Sequence, residues 1–501
     1  MYQIVEKLDI NGNIPTTTNT INDIPTNTIN DILTNTINDI LTTTTDDIIL
    51  STEQEMAINK FKKGENIFLT GQGGTGKSFL INEFIKIIKN ISPHKIIKVT
   101  ALTGTAAILL KCKATTIHSW SGIKLARGTI EEVIEYTYRN NSAKKNWNST
   151  DILIVDEVSM MSQKIFEILV KLSTIIRKST YLFGGIQVIF CGDFFQLAPV
   201  PNYNDELTEK FCFQSPLWET IFKKENHIEL KTVFRQKDIV YKSILSDIRI
   251  GNINEESFNI LNNRLYLKPP PDIQITKLFP TLKLVEIENQ KQFNLIDSDI
   301  FEYEFYTNIN NKIYIDTGTE IPSNIIIECK NIFKQNPNII EYEIKYLLTN
   351  SKCTEKIQLK VGAFVMTTVN LNLEKGICNG SQGIIIEINE INEIPIPKVK
   401  FYNNVIMDIS YYSWQSENYP VISIDQIPLI LAWAISIHKS QGLTLKYAEI
   451  NIGDSIFAEG QIYVALSRVE SLDGLYLTAF NPDKIKVNNN VLEFYNNLSL
   501  M

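Results

Sequence analysis

Histidine and cysteine are scarce, and what there is of them is scattered. Four histidines and six cysteines occur in 501 residues. Cys112, Cys191, Cys212, Cys329, Cys353 and Cys378 form no C-x-x-C pair, and no His/Cys cluster has the spacing of a zinc site. That pattern fits reduced thiols in a cytosolic or nuclear compartment. Long apolar runs are also missing. The best, Ile427 to Ile437, is too short to span a bilayer and contains Ser436, so no membrane partner is expected. The amino terminus lacks the basic-then-apolar layout of a signal peptide, and no basic import signal is evident. Positive charge is not in excess: the formal net charge is −8, which disfavours a protein that simply coats nucleic acid. It leaves open one that grips a strand in a local channel.

What is present is an ordinary globular balance, 44% hydrophobic and 21% charged, in a chain too long for one core. Residues 19–42 are an eight-residue repeat, NTINDIPT, NTINDILT, NTINDILT. Asn, Thr and Asp favour turns, and three such copies bury no solenoid core, so residues 1–49 are expected to form a disordered leader. Beyond Leu50 the pattern changes. Strands are predicted at Asn66–Thr70, Lys95–Thr100, Asp151–Val155 and Gln187–Cys191, with helices at Ser78–Lys89 and from about Thr105. Alternation of this kind predicts parallel α/β sheets. Pro269-Pro270-Pro271 reads as a stiff connector. From about Phe305 to Asp425 the chain looks β-rich, with strands at Val361–Val369, Gly383–Glu387 and Lys398–Tyr402, and α/β character resumes at Ile427.

The chemistry gathers at strand ends. Gly71-Gln-Gly73-Gly74-Thr75-Gly76-Lys77-Ser78 is a complete G-x-x-x-x-G-K-S phosphate loop between a predicted strand and a predicted helix. Its glycines let backbone N–H groups wrap phosphates at a positive helix terminus. Lys77 would reach the β/γ-phosphates, and Ser78 would ligate Mg²⁺ on ATP. The apolar run Asp151–Val155 leads into Asp156 and Glu157. Asp156 would hold Mg²⁺ through its shell and Glu157 would orient and deprotonate the attacking water, although a solvated acidic pair is the bland alternative. Gln54, just upstream, can read an adenine edge by donating and accepting together, or can complete a capping box with Ser51. Gln196 follows another strand and is placed to sense the γ-phosphate.

These residues resemble the superfamily 1 helicases of the petite-integration-frequency (PIF) type, in order from Leu50 to about Ala479. The resemblance is carried by Thr100-Ala-Leu-Thr-Gly-Thr-Ala-Ala107, Thr116-Ile-His-Ser-Trp-Ser-Gly122, Asp156-Glu-Val-Ser-Met160 and Phe183-Gly-Gly-Ile-Gln-Val188. It continues through Gly192-Asp-Phe-Phe-Gln196, Val233-Phe-Arg-Gln236, His438-Lys-Ser-Gln-Gly442 and Tyr463-Val-Ala-Leu-Ser-Arg-Val469. It implies two RecA-like domains with ATP between them, at residues 50–232 and at 233–304 with 426–501. A wedge insertion would occupy about 112–145 and an SH3-like β domain 305–425. It implies an ATP-dependent DNA helicase moving 5′ to 3′ on single-stranded DNA, acting on tailed or forked duplexes, as a monomer on DNA, in genome maintenance or replication.

By the same resemblance Arg235 and Arg468 are arginine fingers of the second domain, and Gln441 and Gly442 belong to a loop coupling nucleotide to strand. Thr103, His118, Trp120, His438, Lys439 and Ser440 are candidate strand contacts, with a core role equally open for Trp120 and the two histidines. Leu102, Ala198 and Met161-Ser162 depart from residues common in the family without removing a catalytic group. A RecD-like or RNA-directed helicase, and an ATP-regulated clamp that binds without unwinding, are the competing readings. Residence in nucleus, cytoplasm or a viral factory stays open.

Overall fold

The computed structural model describes residues 50–501 except 111, 113, 203, 271–274, 316–317, 351–354, 370, 373, 378–379, 392–393, 417–418 and 500–501. The chain divides into Met1–Ser51 and Thr52–Met501. The leader at 1–49, Pro271, Cys353 and Cys378 lie outside the described residues.

The first lobe is built on six parallel strands, β1 (Ile67–Gly71), β2 (Ile97–Ala101), β3 (Thr115–Thr116), β4 (Ile152–Asp156), β5 (Gln187–Cys191) and β6 (His227–Leu230). Their order is β3-β2-β4-β5-β1-β6. β1 and β4 are buried along their whole length, as near-continuous apolar runs covered on both faces should be. Helix Lys77–Ile91 lies on the sheet through Leu80, Ile81, Phe84 and Ile88, a helical spacing. Phe84 stacks on Phe61 of helix Thr52–Lys62 at 4.3 Å between ring centres. The expected strands are thus present with ends shifted by a residue or two. In such a sheet ligands bind beyond the carboxyl ends of the strands, where the phosphate loop, Asp156 and Gln196 all sit.

The segment expected as a wedge is helical: Ile117–Ser121, Ile130–Arg139 and Asn141–Ser149. Thr116, Thr129 (in a capping box with Glu132) and Asn140 start the three helices. Trp147 is fully buried and donates its indole N–H to the Ser121 carbonyl at 3.1 Å, and Arg177 donates to the Trp147 carbonyl at 2.7 Å. This segment is therefore tied into the first lobe's core.

The second lobe carries four parallel strands in the order Ala434–Ser436, Thr276–Phe279, Ala448–Ile452, Leu475–Phe480. Between its first two strands in sequence lies the expected insertion. It holds a five-stranded antiparallel sheet, Ile406–Asp408, Ile394–Phe401, Gln382–Ile391, Phe364–Thr367 and Leu429–Leu431, with smaller two- and three-stranded sheets beside it.

The β-rich expectation needs correcting, because helices Ser323–Gln335 and Asn338–Asn350 interrupt it. Their isoleucines and leucines recur at helical spacing, and Cys329 and Leu347 pack on Val421, Ile422 and Ile424. The end of the chain brings a second departure. Helix Asn489–Ser499, read from sequence as part of the second lobe, returns to the first. Its Phe494 meets Phe68, Phe194, Phe213 and Trp218, and its Tyr495 stacks on Phe195 at 4.5 Å.

Candidate functional site

The phosphate loop is shaped by backbone that L side chains rarely adopt. Gly74 has φ +88, and a Cβ there would stand 2.4 Å from the Cβ of Arg235. The loop is that close to residues from beyond the first sheet: Phe234 and Arg235 donate their backbone N–H groups to the Gly74 carbonyl at 2.8 and 3.3 Å. Lys77 lies along its own loop, donating to the Gly71 and Gln72 carbonyls at 2.6 and 3.0 Å. Burial lowers its pKa, opposed by Asp193, Glu157 and Asp156. Thr75 is buried and bonds to the Gln72 carbonyl, Gly73 is buried against the second lobe, and Ser78 is exposed at the helix start.

Asp156 ends β4 and accepts the Glu157 N–H at 2.9 Å. Burial, then the Glu157 charge, raises its pKa to about 7. Glu157 is a non-glycine residue with φ +54, a strained turn of the kind found at functional sites. Its Oε2 accepts an N–H of Gln441, from the second lobe, at 2.9 Å. Ser78 and Asp156 offer two hard oxygen donors, which suits Mg²⁺, an ion that keeps waters and takes its other ligands from phosphates. No cluster of three or more His, Cys, Asp or Glu ligands exists among the described residues.

Second-lobe residues close the site from the other side. The Tyr463 hydroxyl accepts the Gly73 N–H at 3.0 Å and donates to Asp193 at 3.2 Å. Asp193 forms a buried ion pair with Arg249 at 3.0 Å. Arg235 donates to the Ser467 carbonyl at 3.1 Å, and its Nη1 is 3.6 Å from where a Gly73 Cβ would stand. Arg468 is 2% exposed and bonds only neutral groups, the Val464 carbonyl and the Ser467 hydroxyl. Burial, with Arg235 adding to it, lowers its pKa to about 10. Neither arginine is bonded to a carboxylate among the described residues; Glu157 acts on both at longer range, with Asp193 on Arg468 and Glu470 on Arg235. Gln196 is buried with an unpaired Oε1.

Gln54 is buried with its amide against the loop; a Cβ on Gly76 would lie 3.0 Å from its Nε2. Sequence reading missed Phe234, 53% exposed and 3.8 Å from that same point, an exposed aromatic ring beside the Gln54 amide. The signal for it was weak, a lone Phe in Val233-Phe-Arg-Gln236. It also missed Tyr463 and Arg249, whose roles exist only through long-range contacts.

The strand-contact candidates divide. Lys439 is exposed, as a phosphate-binding cation must be. Thr103 caps helix Gly104–Leu109 by accepting the Ala106 N–H. Burial lowers the His118 pKa to about 4, which favours the neutral imidazole. His438 stacks on Phe457 at 5.7 Å. Two candidates are corrected. Trp120 is 5% exposed and packs on Trp147 at 4.5 Å, so no base can reach its face here. Ser440 is fully buried and its hydroxyl donates to the Ile437 carbonyl.

Comparison with known proteins places this geometry. Residues 49–257 match the family described as PIF1-like helicase, and residues 345–388 match the 2B domain of the DNA helicase Pif1. A Danio rerio protein named ATP-dependent DNA helicase PIF1 is 34% identical over 89% of this chain. The chain spans 63% of that relative's length. The crystal structure of the Pif1 helicase from Candida albicans superposes with a TM-score of 0.74 at 31% identity, over 90% of this chain and all of that one. A Bacteroides Pif1 helicase in complex with ADP-AlF3 and ssDNA superposes with a TM-score of 0.63 at 25% identity, over 90% of this chain and 97% of that one. On the motifs, the two parallel sheets and these matches, the chain belongs to the PIF1-like helicase family.

Proposed function

We propose that the protein is an ATP-driven DNA helicase that moves 5′ to 3′ along single-stranded DNA and separates tailed or forked duplexes. The observation that carries the reading is Arg468, a buried guanidinium that among the described residues bonds only the Val464 carbonyl and the hydroxyl of Ser467, itself 3.6 Å from where a Gly73 Cβ would stand in a complete phosphate loop. Glu157 and Asp193 act on this guanidinium from a distance, yet burial still lowers its pKa, and the γ-phosphate of ATP is an anion that would offset that cost. The names of the relatives and the nucleotide- and strand-bound Bacteroides structure support the same reading.

In the mechanism, Lys77 leaves the Gly71 and Gln72 carbonyls to bind the β/γ-phosphates, and the loop's N–H groups take the remaining oxygens. Ser78 and Asp156 would hold Mg²⁺, which would neutralise phosphate charge. Gln54 reads the adenine edge and Phe234 covers its face. Glu157 takes a proton from the attacking water, Gln196 senses the γ-phosphate, and Arg235 and Arg468 stabilise charge spreading over the transferred oxygens. Because the arginines lie on the second lobe, turnover requires closure, and a strand lying across both lobes through Lys439 favours it. Polarity rests on family membership.

The test is strand displacement on duplexes with a 5′ tail, a 3′ tail or blunt ends, with and without ATP. ATP-dependent unwinding of the 5′-tailed duplex is expected. Unwinding of the 3′-tailed substrate alone would overturn the polarity. Binding without displacement of any substrate would leave a clamp.

A further inference from the structure

Gln441 joins the strand-side segment to the proposed base by a side-chain contact that spans the two lobes. Its Nε2 donates to Glu157 Oε2 at 2.9 Å across 284 residues of sequence. A carboxylate can only accept, so the amide must present its nitrogen to Glu157, and its carbonyl oxygen must face elsewhere. That oxygen, Oε1, is buried with no hydrogen-bond partner among the described residues, and the residue as a whole is 2% exposed. A buried acceptor left without a donor is expensive, and such groups in native proteins call for a functional partner. Gln196 has an unpaired Oε1 too, but only Gln441 is fixed to the base itself.

We propose that Gln441 is a positioning residue for ATP hydrolysis, holding the Glu157 carboxylate with its N–H and offering its carbonyl oxygen as the second acceptor for the attacking water. The inference rests on the reading of Glu157 as base. A water that donates one O–H to Glu157 and the other to Gln441 turns a lone pair toward the γ-phosphorus. Its oxygen bonds to phosphorus, the bond from phosphorus to the bridging oxygen of ADP breaks with that oxygen keeping the electron pair, and one water proton passes to Glu157. Gln441 directly follows the short helix His438–Ser440, and exposed Lys439 is two residues away.

The test uses the full chain with Gln441→Met, similar in size and without the amide, and Gln441→Asn, which keeps an amide on a shorter stem. Turnover, KM for ATP and nucleotide affinity are measured with and without single-stranded DNA. Gln441→Met should lower kcat about 10²-fold in both conditions, the scale of a misplaced general base, with KM and nucleotide affinity unchanged. Gln441→Asn should recover part of the loss. In a Glu157→Gln background Gln441→Met should cost nothing further, because both act on one water. Wild-type turnover in Gln441→Met, a loss confined to the DNA-stimulated rate, or fully additive losses would each overturn the proposal. If Gln441→Met does not fold, a Gln441→Asn variant with wild-type kcat overturns it equally. Wild-type turnover in Glu157→Gln alone would instead remove the base reading beneath it.

Discussion

Arg468 separates two kinds of buried charge. Arg249 has Asp193 and is a structural pair, whereas Arg468 has only a carbonyl and a hydroxyl. Replacing an unpaired buried cation by an apolar chain should not weaken the fold. Arg468→Met is therefore expected to keep or raise the melting temperature of the nucleotide-free protein while lowering DNA-stimulated turnover by roughly 10³-fold or more. Thermal melts beside a turnover assay check this, and a large drop in melting temperature would return Arg468 to a structural role. Lys77→Ala should abolish both nucleotide binding and turnover, whereas Glu157→Gln should abolish turnover and leave binding, since Glu157 acts on water alone. Equilibrium binding of a fluorescent nucleotide distinguishes the two. Lys77 and Glu157 were legible in the sequence because their chemistry is written locally, as a glycine loop or an apolar run ending in carboxylates, whereas Arg468 was singled out only by the family resemblance. Tyr463 was not legible, because a hydroxyl bonded to Gly73 and Asp193 is defined by partners far along the chain. Trp120 shows the reverse: its neighbours in sequence suggested a strand contact, and Trp147 determines that it is core.

Helix Asn489–Ser499 carries much of the packing at the elements' scale. The Tyr495 hydroxyl is 2.5 Å from that of Thr70 and accepts the Phe194 N–H at 3.2 Å, at the end of the strand that leads into the phosphate loop. Tyr495→Phe should cost about 1 kcal/mol for the buried polar groups left behind, read as a lower denaturation midpoint. The same cluster holds His227 between Phe68, Trp218 and Phe494. Its ring nitrogens have no well-aligned partner beyond the nearby Phe222 backbone, and burial lowers its pKa from 6.5 to about 4. Between those values the unfolded chain binds the proton and the folded chain does not. The stability tied to the neutral ring is thus whole above pH 6.5 and is lost as pH falls toward 4, on the order of 2 kcal/mol. His227→Phe should flatten the dependence of melting temperature on pH across that window. Parallel curves for variant and parent would show that His227 does not titrate there. None of this cluster was predicted, since Phe494 and Tyr495 sit in a short helix whose partners precede it by hundreds of residues. The helices at 323–350 were missed for a different reason: the β character of Val361–Val369, Gly383–Glu387 and Lys398–Tyr402 was extended over all of 305–425, although the isoleucines of 323–350 recur at helical spacing.

For the whole molecule, strand alternation gave the two parallel sheets and their order along the chain, and the motifs gave the cleft. The way the ends cross between lobes had no local signature. The described site draws every residue from Gln54 to Arg468. A chain beginning at Leu50 is therefore expected to keep its DNA-stimulated turnover and its melting temperature, and loss of either would show that residues 1–49 serve the motor. With a net charge of −8, strand binding must rely on a few local cations. Lys439→Ala should weaken single-strand binding and reduce its salt dependence, both measured by titration at several salt concentrations.

The return of helix Asn489–Ser499 has a practical corollary for observing the motor at work. Helix Thr52–Lys62 packs beside β1 and β6, and Phe494 packs on Phe68 of β1. The described chain so begins and finishes on the same lobe. Fluorophores attached near residues 52 and 499 would ride together and stay silent while the cleft opens and shuts. A reporter pair meant to register each catalytic cycle needs one dye on this lobe and the other on the far sheet, for instance near exposed Tyr266.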